Sequence, residues 1–195
     1  MFRRGTSLIS VFVLLSAITV GSAAHGAPRR ISGAGSGGHD LAPDGARVVV
    51  LYFATTDCPI SNRYIPEIER LQHAYAVDGV RFWWVYPDAT DDAQAIARHR
   101  KEFNITGALF PDSPREAVAM ARATITPEAA VFVVEGGHLR EVYHGRVDDR
   151  YIAIGQERPQ PKQHDLEAAI EAALAGKPVP AGGPAVGCAI EPPPE

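Results

Sequence analysis

Residues 47–54, Arg-Val-Val-Val-Leu-Tyr-Phe-Ala, form an apolar run suited to one strand, and after four residues Pro59 opens a stretch with a helical apolar period. A strand handed directly to an amphipathic helix commits the chain to layered α/β packing. Cys58 occupies the junction. Pro59 suits the first turn of a helix, where its fixed φ is already helical and its missing N–H has no partner to lose. A thiol at that place meets free amide donors and the positive end of the helix dipole, both of which favour the nucleophilic thiolate. The other cysteine, Cys188, lies in a Pro/Gly-rich tail. The chain therefore offers one positioned thiol and one on a mobile segment, the minimum for a redox cycle. Two cysteines by themselves leave a structural bridge and a catalytic pair both open.

The elements downstream build a sheet around that first strand. The first helix is expected over 59–76, with Ile60, Tyr64, Ile65, Ile68, Leu71 and Tyr75 on one stripe and Pro66 as an internal kink set by packing. Residues 80–86 read as a buried strand and 91–101 as a helix. Its basic end, Arg98, His99, Arg100 and Lys101, complements the helix dipole at a solvated terminus. A short strand near 108–110 precedes Ser113-Pro114-Arg115-Glu116, a capped helix start. Residues 129–134 and 139–143 flank Gly136-Gly137 as a hairpin. Asp165 is expected to cap a last helix through Leu174, stopped by Gly176 and Pro178. Alternating strands and helices demand parallel pairing, and the hairpin adds antiparallel strands to the same sheet.

The ends read differently from the middle. Arg3 and Arg4, an apolar stretch over 8–20 and small residues at 21–24 have the parts of a secretory signal over 1–24, with an uncleaved N-terminal anchor as the alternative and the only route to a membrane. The protein is thus expected to be exported, periplasmic or extracellular, where an oxidising setting permits a disulfide. Removing 1–24 takes two arginines and moves the net charge from −4 to −6, which leaves no basic stripe for a nucleic acid. Residues 25–45 read as a flexible linker, 46–175 as one domain and 176–195 as a tail too poor in apolar residues to fold alone. No Gly-rich dinucleotide loop accompanies a strand-helix unit, so no organic cofactor is implied.

The string Thr55-Thr56-Asp57-Cys58-Pro59-Ile60-Ser61, Pro66 eight residues on and Thr126-Pro127 before the hairpin resemble the thioredoxin-like superfamily, and within it the redoxin branch of alkyl hydroperoxide reductase/thiol-specific antioxidant type. The resemblance covers residues 47–174. It implies a thioredoxin-like three-layer fold, a mixed central sheet flanked by helices. It also implies a cis-proline loop at Thr126-Pro127 packed beside Cys58. The departures are specific. Ser61 stands where thioredoxins carry a second cysteine, Leu51 replaces the proline that peroxiredoxins place before their threonine and cysteine, and Asp57 replaces a common tryptophan. A carboxylate beside the thiol raises its pKa unless the side chain turns away.

The resemblance implies a thiol oxidoreductase that reduces peroxides or exchanges disulfides through Cys58, recharged by an unidentified thiol reductant. Attack on a peroxide gives a sulfenic acid, and attack on a disulfide gives a mixed disulfide. Cys188 is the candidate resolving partner, with a static bridge, a link between chains or an idle thiol as alternatives. Thr55 is a candidate donor to the thiolate or a peroxide oxygen, or a plain strand threonine. Ser61 is a candidate weak donor or a filler. Thr126 and Pro127 are expected neighbours of the sulfur. Arg146 either stabilises the thiolate or ion-pairs within its own loop beside Asp148 and Asp149. No metal site is assigned. The rival readings are a copper or other metal module using Cys58 with His144 or His164, and a non-catalytic interaction domain.

Overall fold

The computed structural model describes residues 40–112 and 114–191. The signal-like segment, most of the linker, the expected cap Ser113 and the closing prolines lie outside them. In chain order the elements are β1 (Val48–Phe53), α1 (Pro59–Tyr75), β2 (Val80–Tyr86), α2 (Ala93–Phe103), β3 (Ala108–Pro111), α3 (Glu116–Ala121) and β4 (Ile125–Thr126). There follow β5 (Glu128–Glu135), β6 (His138–Gly145), β7 (Tyr151–Ala153), β8 (Gln156–Glu157), α4 (Asp165–Leu174) and β9 (Cys188–Ala189).

The main sheet runs β3-β2-β1-β5-β6, with β1, β2 and β3 parallel and β5 and β6 antiparallel to their neighbours. This is the mixed sheet expected from the element order. β1 sits at its centre, every residue buried, and its side chains alternate between two cores as a strand's must. Val48, Val50 and Tyr52 face a cluster built with α1, α2 and α4, including Ile65, Ile68, Ile96, Leu166 and Ile170. Val49, Leu51 and Phe53 face a second cluster with Phe110, Ala117, Ala121 and Phe132. Helices therefore cover both faces. Leu41 joins the second cluster and its carbonyl accepts from Trp83 Nε1 at 3.1 Å, so the end of the expected linker is packed.

Several local expectations change. Pro66 lies inside α1 on its exposed side, so core packing does not set its place. α2 starts after Asp92, whose carboxylate accepts from Ala95 N at 2.7 Å. The first amides of α3 donate to the Asp112 carboxylate, Ala117 N at 3.2 Å and Val118 N at 2.9 Å. Asp165 begins α4 without capping it, because its carboxylate pairs with Arg146.

The largest departure is the tail. Its described part returns across the domain, and β9 pairs antiparallel with β4, Thr126 opposite Cys188 and Ile125 opposite Ala189. Val179, Val186 and Cys188 pack against the first cluster and Ile190 against the second. The expected mobile tail is thus a docked strap, held by its few apolar side chains and by contact with an existing strand rather than by folding alone.

Candidate active site

The site grows from the carboxyl end of β1, where parallel strands leave their crevice. After Phe53, residues 55–57 turn the chain and Cys58 becomes the residue preceding α1, with φ −78° and ψ 109°. Its carbonyl accepts Asn62 N at 3.0 Å, and no acidic side chain occupies the first turn of the helix. The amide end of α1 is therefore available to a negative sulfur. Cys58 is 1% exposed.

Two segments remote in sequence close over it. Thr126 and Pro127 are joined by a cis peptide bond, and the Thr126 carbonyl accepts from Cys58 Sγ at 3.2 Å. From the other side, Cys188 Sγ donates to Cys58 Sγ across 2.8 Å, both cysteines being free thiols. The two sulfurs are electrostatically unequal. Burial opposes ionisation of Cys58, yet hydrogen bonds from the Cys188 thiol, the Ser61 hydroxyl and the backbone at Ser61 and Cys188 hold its pKa below the ordinary 9.0. Cys188 is pushed up to about 12 by burial, by donating to Cys58 and by the negative charges of Cys58 and Asp57. One thiol is prepared to attack and the other to keep its proton.

Ser61 Oγ is fully buried and has no partner of hydrogen-bond geometry, although it favours the Cys58 thiolate. Asp57 is exposed, so the feared repulsion falls on Cys188 instead. Thr55 is buried, its hydroxyl 3.4 Å from that of Thr126. Arg146 pairs with Asp165 at 3.0 Å and bonds Gln163 Oε1 at 2.5 Å, and its amide donates to Gly183 O in the strap. Of the expected neighbours, then, Ser61, Thr126 and Cys188 gather at the sulfur, Pro127 follows Thr126 through the cis bond, Thr55 stands one bond behind, and Arg146 anchors the strap.

The histidines of the metal reading lie elsewhere. His144 Nε2 is 3.3 Å from a carboxylate oxygen of buried Glu128, in a pairing angle that leaves it without a well-formed hydrogen bond. That carboxylate also accepts from Thr124 N at 2.8 Å. His164 groups with Glu67 and Glu167, but Arg70 already reaches both carboxylates, at 2.6 and 2.8 Å.

A partly buried polar chain beneath the cysteine turn was not foreseen. The Thr56 amide and hydroxyl both donate to Asp91, and Asn62 Nδ2 donates to Thr56 O at 3.1 Å. Asn62 Oδ1 accepts from His99 Nε2 at 2.9 Å, which leaves His99 Nδ1 to accept from Tyr86 OH at 3.0 Å. His99, grouped above with a solvated basic end, is 3% exposed and its pKa is lowered by burial. The readable signal for the strap was the alternation of Val186, Cys188 and Ile190 with Gly187 and Ala189, a strand period within an otherwise low-complexity segment.

No protein-family model matches the sequence, and no curated protein does. Solved structures do. An uncharacterized conserved protein from Geobacillus kaustophilus is similar with a TM-score of 0.65 at 22% identity, over 87% of this chain and 90% of its own. A hypothetical protein from Sinorhizobium meliloti 1021 is similar with a TM-score of 0.65 at 21% identity, over 90% of this chain and 95% of its own. A thioredoxin-like protein solved in the oxidized form follows, with a TM-score of 0.53 at 18% identity, over 77% of this chain and 95% of its own. The fold is thioredoxin-like, as the resemblance implied.

Proposed function

We propose that this chain is an exported thiol–disulfide oxidoreductase whose redox couple is Cys58 and Cys188. The observation that carries the reading is the pair of adjacent, unequally acidic sulfurs, 2.8 Å apart. A low-pKa thiol is the attacking group and its higher-pKa neighbour the one that resolves. The Cys58 thiolate attacks one sulfur of a substrate disulfide, a new S–S bond forms, and the other substrate sulfur leaves as a thiolate. Cys188 then gives up its proton and attacks Cys58, which expels the remaining substrate sulfur. The substrate gains two electrons and two protons, and the protein is left with a Cys58–Cys188 bond that a thiol reductant reopens.

Disulfide exchange is favoured over peroxide reduction because the Thr55 hydroxyl is turned to Thr126. It is favoured over metal capture because Cys188, and neither candidate histidine, is the residue beside the sulfur. Export rests on the composition of residues 1–24.

The test is trapping. Reduced protein is mixed with oxidised glutathione, quenched in acid and mapped by mass. The intact pair is expected to lose two hydrogens and yield a Cys58–Cys188 bridge, Cys188→Ser to accumulate glutathione on Cys58, and Cys58→Ser to do neither. Glutathione collecting on Cys188 in the unaltered protein contradicts the assignment of roles.

A further inference from the structure

The strap records what the edge of β4 accepts. At that edge its polar hold is main-chain on the strap's side, two ladder pairs, Ile190 N to Thr124 O at 2.9 Å, and Cys188 O accepting from Thr126 Oγ1 at 3.4 Å, while Val186, Cys188 and Ile190 pack against the core. Main-chain bonds of this kind are blind to sequence, so discrimination must come from side chains along the strand. One position discriminates sharply. A Cβ on Gly187 would lie 2.0 Å from Thr126 O, 2.7 Å from Thr126 C and 2.9 Å from Pro127 Cδ. The first two are backbone atoms of the loop that also holds Cys58, and they cannot step aside without moving the site. The residue before the cysteine must therefore be glycine. Two places after the cysteine, Ile190 packs against the second core cluster, which calls for an apolar side chain there.

We infer that the β4 edge is a receptor for an extended polypeptide of pattern Gly-Cys-x-Ile, that residues 187–190 are its resident copy, and that a partner cysteine reaches Cys58 by displacing them. This rests on Cys58 being the thiol nucleophile. The resident copy is displaceable because its hold on the edge is short: β9 has two residues, and a backbone hydrogen bond that is exchanged for one with water contributes little net. While it is seated, Cys58 is 1% exposed, so the edge and the sulfur become available together. In the reaction Cys58 attacks the partner cysteine's sulfur within a disulfide, a Cys58–partner bond forms, the partner's former S–S bond breaks, and the departing sulfur leaves as a thiolate.

The experiment uses the full chain carrying Cys188→Ser and two synthetic peptides, Pro-Ala-Val-Gly-Cys-Ala-Ile and Pro-Ala-Val-Ala-Cys-Ala-Ile. Each peptide is activated as a mixed disulfide with thionitrobenzoate, and release of the coloured thiolate is followed. The glycine peptide is expected to react roughly tenfold faster or more, the scale of an unrelieved methyl clash in a tight contact. Adding Gly187→Ala to the protein unseats the strap and is expected to accelerate both peptides while preserving their ratio. Equal rates for the two peptides, with oxidised glutathione still reacting rapidly at Cys58, overturn the strand pattern alone. A Cys58 that attacks peptides and glutathione no faster than free cysteine overturns the proposed function and this inference with it.

Discussion

At the scale of single residues, reactivity turns on the donors around one sulfur. Ser61 contributes a buried hydroxyl that lacks a hydrogen bond of good geometry and that favours the ionised form of Cys58. We expect Ser61→Ala to raise the Cys58 pKa and slow its reaction with a small disulfide near neutral pH by up to about tenfold, the weight of one hydrogen bond to a charge. The pH profile of that reaction measures it: the midpoint moves up and the plateau at high pH stays. The two thiols also set a stability profile for the reduced protein. Cys58, lowered below 9.0, loses its proton in the folded state first, so stability rises with pH from its folded value to about 9. Cys188, raised to about 12, keeps its proton when folded, so stability falls from about 9 upward. Denaturant midpoints, compared with a protein lacking both cysteines, are expected to show this maximum near pH 9. Cys58 was legible from sequence because Pro59 and the preceding apolar run announce a strand-to-helix junction. Ser61 was ambiguous because one serine in a helix looks like any other.

Among elements, the regular ones were legible and the connections between them were not. β2, the β5–β6 hairpin and α1 follow from β-branched runs, Gly136-Gly137 and an apolar stripe, and each lies within a few residues of its expected span. The first amides of α3 are met locally by Asp112, whereas the start of α2 and the capping of α4 were misplaced because Asp91 and Asp165 each had a tertiary partner that local rules do not see. His99 was misread for the same reason. It belongs to a polar chain joining Tyr86, Asn62 and Thr56, residues scattered over four segments. β4 depends on such a partner too, since the Glu128 carboxylate accepts from Thr124 N and Ile125 N and faces His144. We expect Glu128→Ala to cost about 2 kcal/mol by urea unfolding, the scale of hydrogen bonds to a charged group. It is also expected to drop the His144 pKa from its raised value, which a histidine NMR titration reads.

For the molecule as a whole, the domain core was legible and the strap was not, because composition treats residues 176–195 as spacer while packing draws on Val179, Val186, Cys188 and Ile190. The strap makes the redox state a global property. A bond between Cys58 and Cys188 spans 130 residues of sequence, and closing so long a loop restricts the unfolded chain by up to about 5 kcal/mol. The oxidised protein is therefore expected to unfold at a clearly higher urea concentration than the reduced one, with the gain absent in Cys188→Ser. The most direct test of the central claim is an equilibrium titration of the full chain in glutathione buffers of graded potential, reading Cys58 and Cys188 separately by differential alkylation and mass spectrometry. Cys58 and Cys188 are predicted to lose their thiols together in one two-electron step that ends in a Cys58–Cys188 bond. Independent titration, or either cysteine remaining a free thiol across the whole range, contradicts the account.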